Sequence, residues 1–105
     1  MKGFNVKIKD EGAYGFLLNN PQALRALIAA SSLEGTRVQV ESFRDDDGVE
    51  KIRIRILAVR LDLKENKRLE AVRDEIRGVL PDALKDLVNV TFEPLSYLRG
   101  DEGLN

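Results

Sequence analysis

The most constraining feature of the sequence is a pair of alternating segments separated by the turn sequence Asp-Asp-Asp-Gly at 45–48. Residues 36–43 and 49–61 each alternate apolar with polar side chains, which is typical of strands with one buried face. Gly48 can take the left-handed backbone conformation that a three-residue hairpin loop with a bulge requires. The two segments therefore predict an antiparallel β-hairpin.

The side chains of this hairpin also predict its register. If Asp45 pairs with Val49, then Val40 lies opposite Ile54, and apolar residues face each other across the two strands. From Leu57 onward the alternation changes phase, so that apolar residues occupy the face that was polar before. We interpret this change as a bulge or as a second buried surface near the end of the strand.

The segments on either side of the hairpin predict one strand and one helix each. Residues 2–9 alternate as a strand does, and Asn20-Pro21 is typical of the start of a helix, which we place over residues 21–33. Asp62 with Glu65 resembles a capping box at the start of the second helix. The apolar stripe of that helix has a 3.6-residue period and consists of Leu69, Val72, Ile76, Val79 and Leu80.

Two further segments complete the predicted elements. Residues 10–19 contain Gly12 and Gly15, which interrupt the alternation, so we expect an irregular loop there. Pro81-Asp82 predicts a short helical turn, and residues 88–92 alternate into a last strand.

The resulting order of elements is strand, helix, strand, strand, helix, strand, which predicts the ferredoxin-like α+β fold (βαββαβ). In that two-layer sandwich a four-stranded antiparallel sheet has the strand order 4-1-3-2, and the two helices cover one face. The other face of the sheet is open. We expect a single ferredoxin-like domain over residues 1–98, followed by a solvated C-terminal tail over residues 99–105.

The composition excludes several classes of functional site. The 105 residues include no Cys and no His, which rules out disulfides, thiolate or imidazole metal ligands, and nucleophile systems built on Cys or His. The 17 Lys and Arg residues nearly balance the 18 Asp and Glu residues, so bulk charge does not indicate a polyanionic partner. The sequence shows no signal-peptide pattern and no membrane-spanning stretch, so we expect a soluble, cytoplasmic protein. It also lacks His, Cys and a pair of acids spaced to share one pocket, so we expect a non-catalytic protein without a cofactor.

Basic residues on the predicted open sheet face form the first candidate site. They could bind an anionic ligand or single-stranded nucleic acid, and they are Lys7, Lys9, Arg37, Lys51, Arg53 and Arg55. Sheets that bind RNA stack its bases on aromatic rings, and no aromatic residue stands between Arg53 and Arg55. We therefore favour the alternative that these arginines pair with Glu41 and Glu93 on a solvated face, and we do not expect nucleic acid to bind.

The predicted loop before the first helix is the second candidate site. Tyr14, Gly15, Phe16 and Asn20 combine flexibility, stacking surface and the amides of a helix start, which could hold a small ligand. The alternative, which we favour, is that the apolar residues of the loop only close the end of the sheet.

The hairpin turn is a third candidate site, because Asp45, Asp46 and Asp47 could supply oxygen ligands to Ca²⁺ or Mg²⁺. Their spacing differs from that of an EF-hand loop. Asp and Gly are also favoured in such a turn for backbone reasons alone, so we favour a purely structural role.

The first predicted helix offers a surface for a partner protein or for a second copy of the chain. Its face away from the leucines is small and weakly polar, which would permit close approach of another element. The residues on that face are Gln22, Ala26, Ala29 and Ser32, and the predicted partner surface also includes Arg25, the only charged residue of the helix.

Helix start, turn chemistry and strand pattern agree with one another along most of the chain. Asn20-Pro21 precedes the helix, Asp46-Asp47-Gly48 forms the turn, and Ile alternates with Arg over residues 52–56. Because these local signals agree with one another, the stretch 21–92 resembles computationally designed or redesigned ferredoxin-like proteins. No motif of a natural family is present. The resemblance implies a non-catalytic structural or binding scaffold. The alternative is a natural small assembly or binding module that uses the helix at 21–33 or the basic sheet face.

Overall fold

The computed structural model describes residues 6–32, 35–58 and 63–94, with side chains from residue 67 onward in the last range. The strands of this part are β1 (Val6–Ile8), β2 (Thr36–Arg44), β3 (Glu50–Ala58) and β4 (Val88–Pro94). Its helices are α1 (Glu11–Asn19), α2 (Pro21–Ser31), α3 (Leu63–Gly78) and α4 (Asp82–Lys85). The side chains of the predicted capping box, Asp62 with Glu65, and the predicted tail over residues 99–105 lie outside the described residues.

The four strands form one mixed sheet in the order β1-β2-β3-β4. β1 and β4 run parallel to their neighbours β2 and β3, and the only antiparallel pair among the described strands is β2 with β3. The predicted antiparallel sheet of ferredoxin-like order 4-1-3-2 is therefore wrong. Alternation shows which face of a strand is buried but not which strand lies beside it, and the order βαββαβ is compatible with both arrangements. In each βαβ unit the two strands lie side by side, β1 next to β2 and β3 next to β4. The β2–β3 hairpin therefore occupies the centre of the sheet.

The hairpin itself is confirmed in position and register. Val40 pairs with Ile54, the Asp45 amide donates to the Val49 carbonyl at 3.0 Å, and Gly48 has a φ of 81°. Pairing continues residue by residue to the end of β3. Of the two explanations for the change of phase at Leu57, the second buried surface is the correct one, because Leu57 is fully buried on the face away from the helices.

The predicted loop over residues 10–19 is wrong, because residues 11–19 form the helix α1. Asp10 is the N-cap of α1, and its Oδ1 accepts a hydrogen bond from the Ala13 amide at 2.8 Å. The two glycines suggested a loop, but Gly12 serves close packing. A Cβ atom on Gly12 would lie 2.9 Å from the Ser42 Cβ, so only glycine lets α1 approach β2 this closely.

The core lies between the sheet and one layer of helices. The central strands contribute Val38, Val40, Ile52, Ile54 and Ile56, and the helices contribute the buried residues Ala13, Leu17, Ala23, Ala26, Leu27, Ala30, Leu69 and Ile76. The predicted stripe of α3 is confirmed by the burial of Leu69, Ile76 and Leu80 and by the packing of Val72 and Val79 against the core. None of the described helices combines the length and the apolar character needed to cross a membrane.

Candidate functional site

The face of the sheet opposite the helices carries the predicted basic residues, and we call it the outer face. It is formed by Lys7, Arg37, Gln39, Glu41, Phe43, Lys51, Arg53, Arg55, Leu57, Asn89, Thr91 and Glu93. These side chains share a face because the residues alternate along each strand and are in register between strands.

The two arginines at the centre of the outer face pair with carboxylates, as the favoured sequence interpretation expected. Arg53 Nη1 lies 3.0 Å from Glu41 Oε2, and Arg55 Nη2 lies 2.6 Å from Glu93 Oε1. The Arg55 side chain is only 16% exposed, and its Nε also donates to both carboxylate oxygens of Glu93. The hydrogen bonds from Arg55 hold the pKa of Glu93 below its ordinary value of 4.5, against the opposing effect of burial.

The other predicted basic residues are spread over the sheet. Lys51 pairs with Asp45 at 3.1 Å, and Lys7 lies beside Gln39 in the register of β1 and β2. Lys9 and Arg37 are exposed, Lys9 just beyond the end of β1 and Arg37 near the start of β2. The outer face therefore holds arginines engaged in ion pairs instead of one continuous basic stripe.

Phe43 is a residue of the outer face that the sequence analysis missed. Its ring lies under the guanidinium of Arg53, at 4.1 Å from guanidinium carbon to ring centroid. The signal was available, because Phe43 has the same odd-numbered parity as Gln39 and Glu41 in an alternating strand. Arg53 already covers this ring, so stacking of a nucleic-acid base on Phe43 would have to displace it.

A groove of about 380 Å³ lies between α1, the start of β3 and the segment from α4 to β4. We call it the α1 groove, and its lining consists of Glu11, Gly12, Gly15, Phe16, Asn19, Glu50, Lys51, Ile52, Leu84, Leu87 and Val88. The floor is mainly apolar. Two of the predicted loop residues, Gly15 and Phe16, are therefore part of a real concavity, although they stand on a helix.

The other two predicted loop residues do not line the α1 groove. Tyr14 is 55% exposed, and the helical turn of α1 directs it away from the groove together with Leu18, which is 63% exposed. Asn20 stands between the two helices, where its Nδ2 donates to the Phe16 carbonyl at 2.8 Å. Asn20 therefore closes α1, and no side-chain hydrogen bond from it caps α2.

Glu11 and Glu50 are the acidic groups of the α1 groove. The Glu50 Oε2 lies 3.1 Å from the point where a Cβ on Gly12 would stand, so this carboxylate is close to the first turn of α1. Within the described part of the chain, neither glutamate takes part in an ion pair. At Gly15, a Cβ would meet no atom of the described residues within 4 Å, so the groove is open above this glycine.

Asp10 connects the beginning of α1 to the sheet. Its Oδ2 accepts the Ser42 amide at 3.0 Å, and its Oδ1 accepts the Ser42 hydroxyl at 2.9 Å in addition to the Ala13 amide. The hydrogen bond from Ala13 is the largest cause of the lowered pKa of Asp10, followed by the one from the Ser42 amide. These contacts hold one end of the α1 groove in place.

We expect Asp10→Asn to lower the free energy of unfolding at pH 7 by about 0.5–1.5 kcal/mol, because one amide oxygen cannot replace two carboxylate oxygens. A lowered pKa stabilises the fold above the unfolded pKa near 3.8, and this stabilisation is lost as the pH falls through the lower folded value. The variant should therefore lose less stability than the parent as the pH falls from 5 through that lower folded value. Urea unfolding at several pH values measures both effects, and Asp46→Asn in the exposed turn is the matched control. Equal acid sensitivity of Asp10→Asn and the parent would contradict the assignment.

Of the three aspartates of the turn, Asp45 stabilises the backbone with its side chain. Asp45 Oδ1 accepts the amides of Asp47 and Val49, each at 2.9 Å, and Asp45 Oδ2 pairs with Lys51. The hydrogen bond from Val49 is the main cause of the lowered pKa of Asp45. Across residues 6–32, 35–58 and 63–94, no three acidic side chains are grouped as a metal site would require.

The predicted partner surface of α2 is smaller than expected. Gln22, Arg25 and Ala29 are exposed, whereas Ala26 is 8% exposed and belongs to the core. Ala26 is buried because α2 packs on the sheet with a face that also includes Ala23 and Ala30, three and four residues away.

No family model, no curated protein and no solved structure matches this chain.

Proposed function

We propose that this protein is a non-catalytic binding module that takes up an apolar side chain of a partner protein in the α1 groove. One observation carries the proposal: a concavity of about 380 Å³ has an apolar floor and an open space above a glycine in the middle of a helix. Binding sites are typically concave and mostly apolar, with few polar groups at the rim. Phe16, Leu84 and Leu87 would contact the bound side chain.

The outer face is a less suitable binding site than the α1 groove, because its arginines are already paired. A hollow of about 440 Å³ beside Arg53 and Arg55 is lined by the same side chains that pair with Glu41 and Glu93. An anion would have to displace a carboxylate from Arg55 before it could bind there. The cost of leaving a half-buried Glu93 without its partner would weaken such binding.

Three carboxyl groups are held in their charged forms, which disfavours them as general acids. Asp10, Asp45 and Glu93 all have lowered pKa values, because hydrogen bonds and cations stabilise their charged forms. Carboxyl groups that act as general acids near neutral pH usually have raised values. The designed or redesigned origin and the cytoplasmic location stay predictions from the sequence.

The proposal is tested by NMR titration of the full chain with N-acetyl-leucinamide and N-acetyl-phenylalaninamide. We expect amide shifts confined to residues around the α1 groove, among them Gly15, Asn19 and Val88. Gly15→Leu should abolish them, because the new side chain fills the open space without meeting a described atom within 4 Å of its Cβ.

Gly78→Leu is the matched control, since Gly78 is also a helical glycine with open space around its Cβ, and it lies away from the groove. Shifts that persist in Gly15→Leu, or that cluster on the outer face, would overturn the proposal.

A further inference from the structure

We infer that the partner of the α1 groove is a cationic amphipathic segment, in which an apolar residue is flanked by Lys or Arg. This inference rests on the proposed function and adds the chemistry of the partner. It assigns Glu11 and Glu50 as the residues that select for positive charge.

The lining of the α1 groove has an unbalanced charge. Lys51 is its one cationic lining residue among those described, and it is engaged by Asp45 at 3.1 Å. Glu11 and Glu50 are left without an ion-pair partner in the described chain. Arg44 lies opposite Glu50 in the register of the hairpin but forms no ion pair with it. The groove therefore presents two uncompensated negative charges to an incoming segment.

The position of the two carboxylates also gives the bound segment a direction. Glu11 is in the first turn of α1, and the proximity of Glu50 Oε2 to Gly12 places the second carboxylate at the same end. Gly15 and Asn19 lie one and two turns further along α1. An apolar side chain over Gly15 would thus bring a neighbouring basic residue to the acidic end.

Charge near an apolar groove contributes mainly to selectivity. Exposed ion pairs are individually weak. Two of them at the rim of a groove would raise the affinity for a cationic segment roughly tenfold over a neutral one at low salt. The same contribution should decrease as salt screens the carboxylates. A neutral segment of the same shape would still bind, but more weakly.

The test compares three acetylated, amidated peptides with the sequences Gly-Lys-Leu-Lys-Gly, Gly-Ser-Leu-Ser-Gly and Gly-Glu-Leu-Glu-Gly, titrated into the full chain by NMR. We expect the cationic peptide to bind roughly tenfold more tightly than the neutral one at low salt, and the acidic peptide to bind most weakly. Glu11→Gln with Glu50→Gln should remove the difference. Asp46→Asn with Asp47→Asn, which changes the same charge at the hairpin tip, should preserve it.

The possible failures are distinguishable. Equal binding of the cationic and neutral peptides overturns this inference and leaves the proposed function standing. Binding of the cationic peptide that Gly15→Leu does not weaken overturns both, because the peptide then binds by charge outside the groove. Absence of binding by all three peptides and by both capped amino acids also overturns both.

Discussion

Gly12→Ala is expected to lower the free energy of unfolding by about 1–3 kcal/mol, whereas Gly15→Ala is expected to raise it by about 0.5–1 kcal/mol. The two residues stand three positions apart in the same helix, Gly12 in its first turn and Gly15 in its middle, and helix propensity favours alanine over glycine at both. Whether alanine raises or lowers the free energy of unfolding is decided by the atoms that its added methyl group contacts.

At Gly12 the methyl group would lie 2.7 Å from the Ser42 Oγ and 2.9 Å from its Cβ. The Ser42 hydroxyl cannot simply rotate away, because it donates to Asp10 Oδ1. Relief would require α1 to move off β2, which would also strain the N-cap. At Gly15 the methyl group enters open space, and alanine restricts the unfolded chain more than glycine does.

Urea denaturation of the two variants and the parent provides the measurement, with Gly78→Ala as a second glycine in open space. We expect Gly78→Ala to behave as Gly15→Ala does. Stabilisation by Gly12→Ala would show that α1 does not pack closely on β2. Destabilisation by Gly15→Ala would show that the space above Gly15 is already occupied.

This pair of glycines also shows why a helix was mistaken for a loop. Glycine is read from sequence as a turn or a helix breaker, and the cost of about 1 kcal/mol in a helix interior supports that rule. At Gly12 a contact with Ser42, 30 positions away in the chain, overrides the local preference. The N-cap signal of Asp10 was present in the sequence, but its bonds to Ser42 depend on tertiary structure.

The hairpin was predictable in detail because its information is local. Turn chemistry at Gly48 and the match of Val40 with Ile54 determine the register within a short stretch of sequence. The strand order was not predictable in this way. Placing β1 beside β2 depends on how the α1–α2 connection packs, and alternation carries no information about lateral neighbours.

The sequence indicated some residues of the candidate site but not the three-dimensional arrangement that forms the α1 groove. Gly15 and Phe16 were singled out for the wrong secondary structure and still line the α1 groove. Leu84 and Leu87 follow the helix start at Pro81-Asp82, and only the tertiary fold brings them opposite α1. Glu50, the first residue of β3, has no sequence signal that distinguishes it from other exposed acids.

The second large effect is expected at the ion pair on the outer face. Arg55→Met should lower the free energy of unfolding at pH 7 by about 1–3 kcal/mol, because it leaves the Glu93 carboxylate, whose side chain is 22% exposed, without its main donor. Arg55→Met combined with Glu93→Leu should recover most of this loss, since an apolar pair of similar volume needs no hydrogen bonds.

Arg53→Met is the matched control on the same strand. The Arg53 side chain is 38% exposed, donates one hydrogen bond to Glu41 and covers the Phe43 ring, whereas the more buried Arg55 donates three hydrogen bonds to Glu93. We therefore expect a smaller cost at Arg53, of about 1 kcal/mol or less. Chemical denaturation of the four proteins at pH 7 compares these values. A larger cost at Arg53 than at Arg55 would contradict the burial of the Arg55–Glu93 pair.

The pH dependence separates the charge of Glu93 from the packing of Arg55. The pKa of Glu93 is lowered by Arg55, so its stabilisation is present above the ordinary value of 4.5 and is lost as the pH falls through the lower folded value. As the pH falls below 4.5, protonation removes the uncompensated charge from the Arg55→Met variant, and the parent loses its ion pair as the pH falls further through the lowered value. The difference between the two proteins should therefore shrink on acidification. A difference that stayed constant from pH 7 to the acidic end would assign the effect of Arg55 to its aliphatic packing on the sheet instead of to its charge.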